Sequence, residues 1–250
     1  MELASKLPEP KSDRLKASPL IFSTLSIYFI AVGVLYLWGY WGYFHVNIME
    51  YMGLSDVVKV AAWPVGSAFV FMLVGMVLGE MRPADVLPAG GGRSTSLGGW
   101  LNKHRTALAV SFMLGLVALL AFGPTHVWPI AALLAGIVLA LPLQQLPHLV
   151  KLIPHASART ILTIAAVVLP LFAFAQGRVN ADKIYAGQSY FYVLSDSDGV
   201  SATGSPQSSM RYVGFAGGTF FFWDPDVSGV TLIPSSVVKS LKLARMPKPK

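Results

Sequence analysis

TALAVSFMLGLVALLAFGPTHVWPIAALLAGIVLALPLQQLPHLV, residues 106–150, contains no Asp, Glu, Lys or Arg. A helix crossing the hydrocarbon core of a bilayer needs roughly 20 consecutive apolar residues, so this run is long enough for two crossings. Gly123-Pro124-Thr125-His126 divides it. Gly and Pro punctuate a helical pattern, and a short break of this kind reads as the tip of a helical hairpin. Helices are therefore expected over 106–122 and 128–146.

Three further uncharged runs flank this hairpin, at 17–49, 60–79 and 160–177. The whole chain of 250 residues is 54% hydrophobic and only 12% charged, where a soluble domain carries about 25% charge. A soluble globule and a disordered chain are excluded by this composition, and a disulfide scaffold by the absence of Cys. The flanking runs predict spans at 20–41, 57–79 and 160–177. The last is the shortest: its 18 residues contain Pro170 and reach about 27 Å as a helix. The expected fold is a bundle of five transmembrane helices over 19–177, behind a disordered tail at 1–18. A small all-β domain, an SH3-like or OB-like barrel, follows over 178–250.

The basic residues set the orientation. Lys6, Lys11, Arg14 and Lys16 precede the first span; Arg82, Arg93, Lys103 and Arg105 follow the second; Lys151 and Arg159 follow the fourth. The two alternate loops carry Lys59 alone. Lys and Arg accumulate on cytoplasmic loops, so the N-terminus is expected inside and the C-terminal domain outside. No cleavable signal is evident, and the expected location is a bacterial inner membrane with the β-domain periplasmic. The net charge of +7 is accounted for by this placement, and no nucleic-acid partner is expected.

Ser18-Pro19 is a helix-start signal. The far end of the first span is dense in aromatics, at Tyr36, Trp38, Tyr40, Trp41, Tyr43 and Phe44, as suits a membrane–water interface. In the following connection, Asn47 and Glu50 have capping-box spacing, and a short helix is expected there. The Gly-rich stretch 80–105 follows a membrane helix and lacks a Gly-Lys-Ser/Thr ending, so it reads as a linker and not a phosphate loop.

From Ser189 the period changes. Strands are expected at 189–194, 209–214, 218–223, 230–233 and 237–243, with a hairpin turn at Gly214–Gly218, a helical turn at Pro234-Ser235-Ser236 and a long polar loop at 195–208. Thr219-Phe220-Phe221-Phe222-Trp223 is aromatic on both faces. One face can fill a barrel, and the other must rest on the membrane, the outer loops or a partner. Phe221, Trp223, Tyr190 and Tyr192 are the candidate partner surface.

Little in the sequence points to chemistry. The interiors of the expected spans hold no Asp, Glu, Lys or Arg, where intramembrane charges mark proton relays and ion paths. No HExxH or Gly-x-Ser-x-Gly occurs, and Asp196-Ser-Asp198-Gly199 is half a calcium loop without its remaining ligands. No catalytic residue, metal or cofactor is expected. The motifs that stand out serve packing: Gly75 with Gly79, Ser111 with Gly115, and Gly136 with Ala132 and Ala140 follow the small-xxx-small spacing that lets helix backbones approach. The expected function is non-enzymatic. The bundle anchors a β-module that binds a protein or envelope component, in an accessory, immunity or defence role. The alternative is a homo-oligomeric channel or pore assembled through the small-residue stripes.

Overall fold

In a computed structural model of the chain, residues 19–60, 62, 66, 70, 99–100, 103–193 and 210–246 are described. Helix α1 spans Pro19–Trp41, α2 Arg105–Phe122, α3 Trp128–Leu143, α4 Pro147–Leu152 and α5 Ala156–Tyr185. The antiparallel strands β1 Phe191–Val193, β2 Arg211–Ala216, β3 Thr219–Asp224, β4 Gly229–Pro234 and β5 Leu243–Arg245 form one sheet in the order β4-β3-β2-β1-β5.

Three helical segments are long and apolar enough to cross a membrane: Ser23–Phe44, Thr125–Leu143 and Ala156–Tyr185. Thr106–Phe122 is a shorter apolar helix. Of the expected span at 57–79, only 57–60, 62, 66 and 70 are described, all helical. Three candidate spans are thus found among the described residues, most of 57–79 lies outside them, and the expected count of five is not confirmed. The segment that looked shortest, 160–177, is the core of the longest helix among the described residues. Its 30 residues extend about 45 Å at 1.5 Å per residue. Charge ends the apolar run at Arg178, but charge does not end a helix. The stop comes at Gly187, whose φ of +72° suits glycine. Its N–H donates to the carbonyl of Ile184, and that of Gln188 donates to Lys183, a glycine C-terminal cap.

Helix α5 is central, packing extensively on both α1 and α3. Ala173, Gly177 and Ala181 recur every four residues on α5, and all are buried. Small side chains at this spacing bring α1 into backbone contact: a Cβ at Gly177 would strike the carbonyl oxygen of Tyr36 and lie 3.0 Å from the Tyr40 nitrogen. Reciprocally, a Cβ at Gly39 would strike the carbonyl oxygen of Phe174. Against α3 the small residue is Gly136, where a Cβ would come within 2.7 Å of Val168. At the other end of the α1–α5 interface, Pro170 lacks the N–H that would bond the carbonyl four residues earlier. The Tyr28 hydroxyl reaches that carbonyl, on Ala166, at 3.3 Å, and the neighbouring one on Ala165 at 3.1 Å. An apolar medium offers no water for a freed carbonyl, so a phenol from the facing helix takes its place.

The sheet corrects the expectation of a closed SH3-like or OB-like barrel. Closure would require the edge strands β4 and β5 to pair, and they do not. The segment expected as the last strand, 237–243, contributes only Leu243 to a strand of three residues. It folds over one sheet face instead, where Val238, Leu241 and Leu243 pack against buried Phe222 and Val193. The opposite face, with Phe221 and Trp223, packs on the end of α1 and the connection after it. One face is thereby packed on the helices and the other partly covered by 237–243, and neither lines a barrel. The β2–β3 hairpin turns at Gly217 and Gly218, with φ of +54° and +75°, the left-handed pair that a two-residue hairpin requires.

The backbone contact at Gly177 yields a direct test. Replacing Gly177 with Val forces two helices apart and should cost about 1–3 kcal/mol or more, read as a lowered Tm in detergent. Gly115→Val, where a Cβ meets nothing within 4 Å, should leave Tm nearly unchanged.

Candidate functional site

The ends of α1 and α5, the start of α3 and the inner face of the sheet converge at one end of the bundle. The aromatic residues that close α1 form the seat. Trp41 meets Phe221 edge-on with ring centroids 4.9 Å apart, Tyr51 meets the same ring at 5.1 Å, and Phe44 lies 5.8 Å from Trp223. Tyr185, at the end of α5, lies 4.8 Å from Trp223. The two edge-to-face contacts on Phe221 add about 0.5–1.5 kcal/mol each beyond area burial.

A bulge in β2 shapes the sheet to this seat. Tyr212 pairs with Phe222 and Gly214 with Phe221, which leaves Val213 as the extra residue. An inserted residue leaves the ladder locally unpaired, and the Val213 carbonyl accepts a 2.7 Å hydrogen bond from the Tyr40 hydroxyl. Gly214 makes room for the indole of Trp41, which a Cβ there would approach to 3.0 Å. Arg211 closes the other side. Its guanidinium donates to the carbonyls of Ile184 (2.8 Å) and Tyr185 at the end of α5, while lying 4.9 Å from the Tyr190 ring centroid. The Ile184 carbonyl also accepts the Gly187 N–H, and the guanidinium adds a further donor and a positive charge at the helix C-terminus.

Beside the seat lies a polar cluster built on the last turns of α5. Asp182 accepts a 2.7 Å hydrogen bond from the Tyr43 hydroxyl on one oxygen and one from the Thr125 hydroxyl on the other. One carboxylate thus ties together α5, the segment after α1 and the hairpin tip before α3. One turn earlier, the Arg178 guanidinium lies between two rings, 5.1 Å from the Tyr43 centroid and 4.8 Å from that of Trp128. Asn180 donates to the Tyr36 hydroxyl at 3.2 Å. On the sheet, burial pushes the Tyr212 phenol above its ordinary pKa. Among the described residues no three His, Asp or Glu side chains are grouped as metal ligands.

The residues singled out in the sequence are distributed unevenly. Gly136 packs against α5, with Ala132 and Ala140 buried beside it. Ser111 and Gly115 are exposed on α2, and Gly75 and Gly79 lie outside the described residues. Phe221, Trp223 and Tyr190 are buried, at 0%, 6% and 5% exposure, and Tyr192 is half-buried. The rings read as a partner surface are therefore largely occupied within the chain. On the other sheet face, Phe215 and Phe191 remain 48% and 46% exposed. The connection 42–53 contains the expected short helix as a single turn at Ile48–Glu50. Asn47 bonds the Glu50 side chain at 2.7 Å rather than capping the backbone. Gly39, Gly177, Arg178 and Asp182 were not anticipated. The Ala173-xxx-Gly177-xxx-Ala181 spacing was the available signal for the glycine contact.

The carboxylate knot predicts strong coupling. Tyr43→Phe and Asp182→Asn should each destabilise by about 1.5–3 kcal/mol, as expected for hydrogen bonds to a charged group. The double variant should lose clearly less than the sum, because one bond is removed twice; thermal unfolding of the four proteins measures the difference. Comparison of the chain with protein-family models, curated proteins and solved structures finds no match.

Proposed function

We propose that the protein is a non-enzymatic integral membrane protein whose helices hold the five-stranded sheet as a rigid docking platform for another protein of the envelope. The observation that carries this reading is the seat itself. A tethered module needs only a linker, whereas this sheet is fixed to α1 and α5 by Trp41, Tyr40 and Arg211. Fixing the sheet in one orientation limits the ordering that binding would otherwise require.

The docking residues in this reading are Phe191 and Phe215. They belong to the sheet face turned away from the helices, beside the Phe215–Phe220 ring pair at 4.7 Å. Large aromatic side chains dominate the energetics of protein interfaces. The distribution of Lys and Arg supports an inner-membrane protein with its N-terminus in the cytoplasm and the sheet on the opposite, periplasmic side.

A photo-crosslinking amino acid placed at Phe215 in cells should give a discrete protein adduct. Phe191→Asp should abolish that adduct without lowering Tm. Adducts with lipid alone, or an adduct indifferent to Phe191→Asp, would contradict the reading.

A further inference from the structure

Arg178 stands out among the arginines at the ends of the helices. Arg159 donates to the carbonyl of Ile153 at 2.9 Å, and Arg211 donates to Ile184 at 2.8 Å. Among the described residues Arg178 makes no hydrogen bond to protein; its Nε is buried without a partner, as are those of Arg159 and Arg211, but those two bond carbonyls through their terminal nitrogens. Asp182, one turn on, forms no ion pair with it. Both Asp182 oxygens are taken by hydroxyls, and the one ion pair among the described residues is Lys59–Asp56. A second buried donor without a partner, the indole N–H of Trp128, belongs to the ring that stacks on Arg178. Two adjacent unsatisfied donors, one carried by a cation, call for an acceptor that the described residues do not supply.

The surroundings indicate its chemistry. Arg178 follows the uncharged run 160–177 directly, at the boundary where an apolar span gives way to polar residues. Phe122 and Ile130, on either side of the hairpin tip, are 91% and 65% exposed, as suits side chains facing lipid. The guanidinium is held by two rings, so little of its freedom remains to be lost on binding. A planar cation of this kind matches a phosphate oxyanion.

We propose that Arg178, with the Trp128 indole, binds the phosphate of an anionic phospholipid headgroup at the bilayer surface. The site would fix the depth of the bundle through one specific lipid rather than through general basic charge. It is independent of any protein partner on the sheet.

The test is a thermal-shift titration of the detergent-solubilised full chain with phosphatidylglycerol, phosphatidylcholine or inorganic phosphate. Phosphatidylglycerol should raise Tm by about 3–8 °C at saturation, as a ligand that binds only the folded state does. Arg178→Gln should lose most of that rise. Trp128→Phe, which keeps an aromatic face and removes the N–H, should lose part of it, and provides the reading if Arg178→Gln does not fold. A shift produced equally by inorganic phosphate would support the phosphate site and overturn its assignment to a lipid. An equal rise with phosphatidylcholine would overturn the anionic selectivity. No rise in the native chain, or an undiminished rise in both variants, would overturn the proposal.

Discussion

The architecture depends on the absence of two side chains. At Gly39 and Gly177, helices α1 and α5 touch backbone to backbone, each glycine against a carbonyl of the other helix. In a bilayer no hydrophobic gain drives helices together, so close packing has to supply the attraction. This contact lies in the last turns of α1, and it brings the ends of both helices side by side. Trp41 and Phe44 on one and Tyr185 on the other then fall close enough to form a single aromatic seat. The sheet is positioned by that seat, and its position follows from the crossing.

The sheet is in turn adapted to the helices. A regular β2 would place every carbonyl in a ladder bond. The bulge at Val213 releases one, and a tyrosine from α1 claims it. Arg211, next to the bulge, serves the carbonyls at the end of α5. Each half of the molecule thus satisfies backbone groups of the other. Such exchanges are costly to break, because a buried carbonyl left without a donor loses about 1–3 kcal/mol. They make the helix–sheet junction resistant to local opening, a property that a platform needs and a flexible tether does not.

Much of this was legible in the sequence, and the failures have physical causes. Uncharged runs located the helices, and the shift to short aromatic and β-branched segments located four of the five strands closely. The closed barrel was wrong because 237–243 resembles a strand by composition but packs as a cover over Phe222. Alternation alone also cannot say which aromatic face of β3 is turned inward: Phe221 and Trp223 sit on helices that lie far away in sequence. Span boundaries drawn by charge stopped at Gly177 and so detached Arg178 and Asp182 from the helix that carries them. Gly39, embedded in an aromatic-rich stretch, has no visible role until its partner helix is known.

The account stands on the claim that helices and sheet form one rigid body. The chain has no cysteine, so spin labels can be placed freely at two exposed positions, Ile27→Cys on α1 and Val227→Cys in the β3–β4 turn. Their distance distribution in a reconstituted bilayer tests the claim most directly. The account predicts a single narrow distribution that broadens when Trp41→Ala is added. A broad distribution in the otherwise native chain, unchanged by Trp41→Ala, would show a sheet that moves independently of the helices and would contradict it.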